Sequence, residues 1–296
     1  MDSQVYLALY TLVTCLGAGV LGFQGAACVR WRSERLNKAS AIVAGALALA
    51  EIALFALRLG RPERLFGGFA NLTSGVTLAL YGVVFFVVVC VAMIVMSSRT
   101  EDGSVPRWCG IAAIVVSVLL VAGMTCGAVL SAKPGVGLYT LMALYLGAAL
   151  LFGAAAHLVL GALLKDEDAC KTGCAALAVC AVLAGVGLAA YLVWYGLDTQ
   201  AAAQATKSTY SMSTHMIGGA KQIAATDRLA VVTSGAQAVL FWGGSVAPLV
   251  CGAAAFAVGK GDVLEKRGVL LVLGLAALVC ALAGGWCLRL CLATLV

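Results

Sequence analysis

The sequence predicts an all-α integral membrane protein, built as a bundle of eight transmembrane helices. Hydrophobic residues make up 63% of the 296 residues and only 11% are charged. The mean hydropathy is +1.05. Water could not cover so much apolar surface, so a soluble fold is excluded. The net charge of +6 is spread over short connections and gives no support for nucleic-acid binding.

A membrane-spanning helix needs about 20 mostly apolar residues, and the chain contains eight such stretches. Only short connections separate them, apart from 198–228, so one domain over 1–296 is expected. The 35 glycines, many of them beside Ala, Ser or Cys, allow the helices to pack closely. The predicted spans are approximately 5–29, 39–59, 76–97, 108–131, 137–164, 174–197, 229–258 and 268–291.

An even number of spans puts both ends of the chain on one side of the membrane. Eleven Lys and Arg residues lie in the connections that follow the odd-numbered spans, and seven lie in those that follow the even-numbered spans. The positive-inside rule therefore predicts that both termini lie outside, together with the connections 58–75 and 198–228.

The first of these connections begins with an arginine-rich segment. Arg58, Arg61 and Arg64 lie with Glu63 and the helix-breaking Pro62 where the second span leaves the membrane. Fixed cations at this depth can hold the polar head of a lipid-soluble redox carrier, or dock a soluble partner. The alternative is a collar of arginines that only fixes the topology.

Glu51 and Arg289 are charges inside predicted spans, where an ionisable side chain is costly and needs a partner or a function. Glu51 precedes Arg58 by seven residues, so both lie on one helix face, about 10 Å apart along the axis. This position suits a proton acceptor below an outward-opening pocket, and a structural ion pair is the alternative. Arg289, beside Trp286 near the outer end of the last span, either reaches the interface or neutralises the anion of a reduced quinone.

The remaining candidate ligands give no metal site. His157 is interpreted as a core residue bonded to a neighbouring backbone or hydroxyl group. A haem between spans usually needs two facing histidines, and the other histidine, His215, is in a connection, so no haem is expected. The twelve cysteines contain no CxxC and are interpreted as small buried apolar residues. Tyr81 on the third span is a candidate wall for a quinone ring, with an interfacial aromatic belt as the alternative.

The connection 198–228 is polar and long, and is interrupted by Gly218 and Gly219. It is interpreted as a surface helix or cap. Its functional role would be to dock a partner or close a pocket, with His215 and Lys221 as candidate contacts. Its alternative role is to shield the bundle.

Several of these features occur together in one known family. The arginine-rich segment continues to Asn71, and the last span ends in Ala-Gly-Gly-Trp-Cys-Leu-Arg289. With eight spans in this order, the chain resembles the membrane anchor subunit of dimethyl sulfoxide reductase-type complexes. It resembles polysulfide reductase and NrfD-type anchors more distantly. The specific matches are Leu59, Gly60, Pro62, Arg64 and Arg289.

The resemblance implies an anchor of a bacterial cytoplasmic (inner) membrane that serves anaerobic respiration and carries no cofactor of its own. It would bind and oxidise menaquinol near the outer face, where an iron–sulfur electron-transfer subunit and a molybdopterin catalytic subunit would dock. Glu51 is the predicted proton acceptor. The predicted quinol-binding residues are Arg58, Arg61, Arg64, Tyr81 and Arg289, and the predicted partner-docking residues are Glu63, Asn71, His215 and Lys221.

The chain departs from the family pattern at the usual quinol-deprotonating positions. Relatives commonly carry a histidine at the position of Arg58 and an acidic residue near Ser74–Thr77. They also carry a glutamate near Gly285. Glu51 or Glu63 would then have to accept the proton. Two other functions remain open: a small-solute or proton-coupled transporter whose path is lined by Glu51, His157 and Arg289, and a purely structural anchor without quinone chemistry.

Overall fold

The computed structural model describes residues 3–30, 34–59, 75–100, 104–131, 138–210, 235–261 and 263–293. These residues form eight α-helices, which confirms the predicted all-α class and the predicted number of spans. The helices are α1 (Ser3–Arg30), α2 (Glu34–Leu59), α3 (Gly75–Arg99), α4 (Arg107–Ser131), α5 (Leu138–Leu164), α6 (Glu167–Tyr210), α7 (Gly235–Gly259) and α8 (Arg267–Ala293).

All eight helices are long and apolar enough to cross a membrane. Their outward side chains are large and hydrophobic: Leu49 on α2, Val88 on α3 and Val186 on α6 are each more than half exposed. A solvent-facing helix would carry polar residues at such positions. The chain is therefore a multi-pass membrane protein whose outer surface contacts lipid.

Helix α1 is the centre of the bundle, because it packs against α2, α4, α5 and α8. Glycine makes these contacts possible by letting two backbones approach closely. Gly19 of α1 meets Gly153 of α5, and Gly25 of α1 meets Gly110 of α4. Helices α5, α6, α7 and α8 form a ring of neighbours beside α1, and α3 packs between α2 and α4.

We expect Gly19→Ala to destabilise the bundle. A β-carbon at residue 19 would overlap the carbonyl oxygen of Ala149 and lie 2.8 Å from the backbone nitrogen of Gly153. Backbone atoms cannot move aside as a side chain can, so α1 and α5 would have to separate, at a cost of about 1–3 kcal/mol or more. Thermal unfolding in detergent measures the loss. The control is Gly268→Ala, because nothing lies within 4 Å of a β-carbon there; equal melting temperatures for both variants would contradict the expectation.

Helix α6 differs from its predicted span at both ends. The span was predicted to begin near 174, but the helix begins at Glu167. Asp166 is the reason: its Oδ1 accepts a hydrogen bond from the N–H of Ala169 at 3.0 Å, and this caps the helix. Lys165, with a φ of 59°, ends α5 immediately before. Capping by polar residues, not apolarity, therefore sets where α6 starts.

At its other end, α6 continues to Tyr210, so residues 198–210 of the predicted surface connection are helical. The apolar part of α6 ends at Trp194. Residues 195–210 add roughly 24 Å of helix beyond it, at 1.5 Å per residue. The prediction of a helix is confirmed for this part, while 211–228, with His215 and Lys221, lies outside the described residues.

Most of the described cysteines are buried, as predicted. All eleven whose side chains are described are free thiols, and eight of them are buried. The buried ones include Cys15 on α1 and Cys90 on α3, which belong to the hydrophobic core.

Candidate functional site

Glu51 and Arg289 lie in the same half of the bundle. Successive helices run in opposite directions, so α1, α3, α5 and α7 all begin at one end, which we call the N-terminal end. Glu51 lies in the last third of α2, and Arg289 lies close to the end of α8. Both helices finish at the N-terminal end, and both side chains are buried there, with 1% and 3% of their surface exposed.

The guanidinium of Arg289 is only partly satisfied. Its Nη1 donates to the carbonyl oxygen of Gly285 at 3.3 Å, and its Cζ lies 5.5 Å from the centre of the Tyr145 ring, in cation–π range. Its Nε and Nη2 have no hydrogen-bond partner among the described residues, and none of the described carboxylates forms a salt bridge with it. An unpaired buried charge is destabilising. The geometry therefore leaves two N–H donor groups for a ligand.

A cavity of about 70 Å³ lies beside this guanidinium, enclosed by α5, α6, α7 and α8. One water needs about 10–15 Å³ of such volume, so this space holds several waters or one small ring. The cavity is partly open, and its surface is mainly apolar. Its walls include Tyr145, Phe152, Leu188, Phe241, Ser245 and Leu288. Arg289 is the charged residue in this lining.

Two glycine positions shape the site. A β-carbon at Gly285 would lie 2.7 Å from Nη1 of Arg289, so the missing side chain makes room for the guanidinium to fold back along α8. A β-carbon at Gly284 would lie 2.9 Å from the Cα of Gly244, so α7 and α8 are in backbone contact at this level. In the sequence, these two positions can be recognised as the Gly284-Gly285 pair one turn before Arg289.

Glu51 is held by Thr14 of α1. The Oγ1 of Thr14 lies 2.7 Å from Oε1 of Glu51 and 2.8 Å from the carbonyl oxygen of Tyr10. The hydroxyl has a single hydrogen, so it donates one hydrogen bond at a time, and its oxygen can accept a hydrogen bond from another group. When Thr14 donates to Tyr10, the contact to Glu51 requires that the carboxyl group carries a proton and donates it. When Glu51 is ionised, Thr14 donates to it instead. The hydroxyl can thus serve both protonation states.

Glu51 is not in the cavity lining, and helix α1 packs against both α2, which carries Glu51, and α5 and α8, which enclose the cavity. The Cys15 thiol, next to Thr14, lies within electrostatic range of Glu51 and within hydrogen-bonding reach of the Arg289 guanidinium, for which a thiol is only a weak acceptor. Leu12, one turn earlier, reaches the space beside Gly285. The described residues contain no salt bridge between Glu51 and Arg289, so the ion pair considered as an alternative is not formed between these two.

Tyr81, another predicted quinol-binding residue, is not in the cavity lining. Tyr81 is half-buried on α3, which packs against α2 and α4, while the cavity lies among α5 to α8. Tyr145 occupies the aromatic position beside the arginine instead. Arg58 is part of α2, but its side chain lies outside the described residues. Outside them too lie Arg61, Glu63, Arg64, Asn71, His215 and Lys221.

His157 has the core position predicted for it, further along α5 and away from the N-terminal end. It is 4% exposed, and its ring packs against Phe23 with 4.9 Å between the ring centres. Its Nε2 has no hydrogen-bond partner among the described residues, so the predicted bond is not made by this atom. Among these residues there is also no group of three or more His, Cys, Asp or Glu side chains placed to hold a metal ion.

Fold and site together define the class: a multi-pass helical membrane protein with a buried arginine at an apolar cavity between four helices. No family model matches the chain, and neither a curated protein nor a solved structure matches it.

Proposed function

We propose that this chain is the quinol-oxidising membrane anchor of a molybdopterin oxidoreductase complex. The observation that carries the proposal is the buried guanidinium of Arg289, whose Nε and Nη2 lack partners among the described residues at the edge of an apolar, aromatic-lined cavity. A quinone ring is flat and apolar, and it needs one or two hydrogen bonds to its oxygens. Cavity and donors fit those needs.

The charge of Arg289 favours the oxidation step in particular. Menaquinol becomes menaquinone by losing two protons and two electrons, and negative charge develops on a ring oxygen when the first proton leaves. A fixed cation in a low-dielectric site stabilises that charge. The walls favour a lipid-borne ligand over a small hydrophilic anion, because Arg289 is the charged group in the lining and the other side chains are mainly apolar.

Glu51 is the proposed proton acceptor. Its hydrogen bond to Thr14 is available both to the carboxylate and to the neutral acid, so a proton can arrive and leave without an unsatisfied buried group. From Glu51 the proton would leave towards the end of α2, at the N-terminal end of the bundle. The two electrons would pass one at a time to the iron–sulfur subunit proposed as the partner on that side.

The segments outside the described residues belong to the same proposal. The arginine-rich segment that follows α2 resembles the corresponding stretch of dimethyl sulfoxide reductase-type anchors, as does the position of Arg289. On that resemblance, Arg58, Arg61 and Arg64 would assist ligand or partner binding at the outer face of a bacterial cytoplasmic membrane. Glu63, Asn71, His215 and Lys221 would contact the partners.

Purification of the full chain from its native membrane tests this function. We expect an iron–sulfur protein and a molybdopterin enzyme to co-purify, detected as iron and molybdenum by elemental analysis. We also expect added menaquinol to reduce the clusters, seen as bleaching of their visible absorption. A chain that purifies alone, without either metal, would support the transporter instead. A metal-containing complex whose clusters do not respond to menaquinol would support a purely structural anchor.

A further inference from the structure

The four seams between the helices that enclose the cavity are not equally tight. Between α7 and α8, Gly244 and Gly284 bring the backbones into contact. Between α5 and α6, a β-carbon at Gly147 would lie 3.0 Å from the Cα of Ala184, and one at Gly187 would lie 2.9 Å from the carbonyl oxygen of Ala143. These two seams are closed by backbone atoms on the level of the cavity.

The seam between α5 and α8 is closed by side chains. Arg289 lies over the ring of Tyr145. Phe152 comes within 3.8 Å of a β-carbon placed at Gly285, and Leu12 of α1 reaches the same point at 4.0 Å. A ligand cannot pass here without displacing the group that would bind it.

The seam between α6 and α7 widens towards the N-terminal end. Near the opposite end it is tight: a β-carbon at Gly259 would lie 2.8 Å from the Cβ of Cys174, and one at Gly252 would lie 3.1 Å from the Cα of Ala178. At Gly185, which lines the cavity, the nearest atoms to such a β-carbon are the methyl groups of Leu249 at 3.9 Å. The contact thus changes, over a few turns, from backbone atoms to an ordinary van der Waals contact with the flexible side chain of Leu249.

Two further observations agree with an opening at this point. Gly185, Leu188 and Ser245 line the cavity and are only half-buried. Helix α7 contains Pro248, whose nitrogen has no hydrogen to donate to the carbonyl group of residue 244. Helices bend most readily at such a position, and here the carbonyl group concerned belongs to Gly244, which lines the cavity.

The geometry points to a lateral portal between α6 and α7, at Gly185 and Leu249, that joins the cavity to the lipid. The identity of the occupant rests on the proposed function: the isoprenoid tail of the quinone lies in the portal, while the ring lies inside against Arg289. Just outside the seam, Val186 and Val246 are about half exposed or more, so the tail passes from protein to lipid along an apolar surface. The ligand class is then an amphipathic molecule with an oxygen-bearing ring and a long apolar chain.

The experiment uses the full chain in lipid nanodiscs and two probes. The first is adamantyl diazirine, a small apolar photolabel that enters from lipid and whose attachment sites are mapped by mass spectrometry. The second is menaquinone, whose binding is followed by quenching of tryptophan fluorescence. The variants are Gly185→Phe, which adds a bulky ring at the seam, and Leu249→Ala, which removes the side chain that closes it. The control is Gly243→Phe on α7, because a β-carbon at Gly243 has nothing within 4 Å.

In the wild-type chain and in Gly243→Phe, we expect the photolabel to attach to Phe241 and Leu188. We expect this labelling to be lost in Gly185→Phe and to be faster in Leu249→Ala. Unchanged labelling in both Gly185→Phe and Leu249→Ala would overturn the portal, and so would a wild-type cavity that takes up no label. Should Gly185→Phe fail to fold, the rate in Leu249→Ala decides alone. The expected labelling without any menaquinone binding would leave the portal standing and refute the quinone as its occupant, and with it the proposed function.

Discussion

Arg289→Gln is expected to lower menaquinol oxidation by about 100- to 1000-fold, the usual cost of removing a donor that stabilises a developing oxyanion. Glutamine keeps a hydrogen-bonding group of moderate size but loses the charge and the forked N–H donors. The measurement is menaquinol-dependent reduction of the terminal acceptor by the purified complex. Activity with an artificial electron donor that bypasses the membrane subunit should stay at the wild-type level.

The stability of the same variant separates function from structure. Because two N–H groups of the buried guanidinium have no partner among the described residues, its removal should leave the melting temperature equal or higher. A residue that only held the fold together would show the reverse. Wild-type menaquinol activity in Arg289→Gln would refute its role in the site.

Gly285→Ala provides a matched test that keeps the arginine. The added methyl group would lie 2.7 Å from Nη1, and a guanidinium at the end of a flexible side chain can move to relieve that contact. The fold should therefore survive while the donors shift by about an ångström, which is enough to reduce the rate roughly 100-fold. Gly243→Ala, on the neighbouring helix and away from the lining, should behave like the wild type.

Glu51→Gln is expected to reduce menaquinol oxidation by about 100- to 10,000-fold, the range that general acid–base groups contribute. The amide has nearly the shape of the acid and can still hydrogen-bond to Thr14, so the bundle should unfold at a similar temperature. It cannot accept a proton, which is the property under test. The readout is again menaquinol-dependent activity compared with the activity from an artificial donor.

The companion variant Thr14→Val removes the hydroxyl and keeps the side-chain shape. It should lower menaquinol oxidation less than Glu51→Gln, because the carboxyl group remains while its hydrogen-bond partner is lost. An equal loss of both donor activities in Glu51→Gln would show that Glu51 supports assembly and not proton transfer. A large drop in melting temperature would favour a structural ion pair with a residue outside the described part of the chain.

Much of the fold could be predicted from the sequence because the membrane imposes it. Helix length and apolarity alone located all eight spans, and the cost of charge in lipid marked Glu51 and Arg289 as buried residues that need an explanation. The start of α6 was placed too late because the span was located by its hydropathy. Hydropathy does not detect a polar capping residue such as Asp166.

The composition of the site could not be predicted in the same way. Thr14 lies 37 residues from Glu51 along the chain, and no local pattern links them. The pairing of Arg289 with Tyr145 depends on how α5 and α8 cross, which is decided by glycine contacts between helices. Tyr81 was a reasonable aromatic candidate on depth alone, but depth does not say which side of α1 a helix occupies.

The length of α6 has a mechanical consequence. One uninterrupted helix carries both Gly185, at the edge of the cavity, and the stretch 195–210, which projects past the apolar span. An α-helix is stiff over a few turns, so a tilt of the stretch 195–210 would also move the part of α6 that contacts α7 at Gly185. A soluble protein that bound to the stretch 195–210 and tilted α6 would change the spacing between α6 and α7. Binding outside the membrane would then affect the entry of a ligand from the lipid.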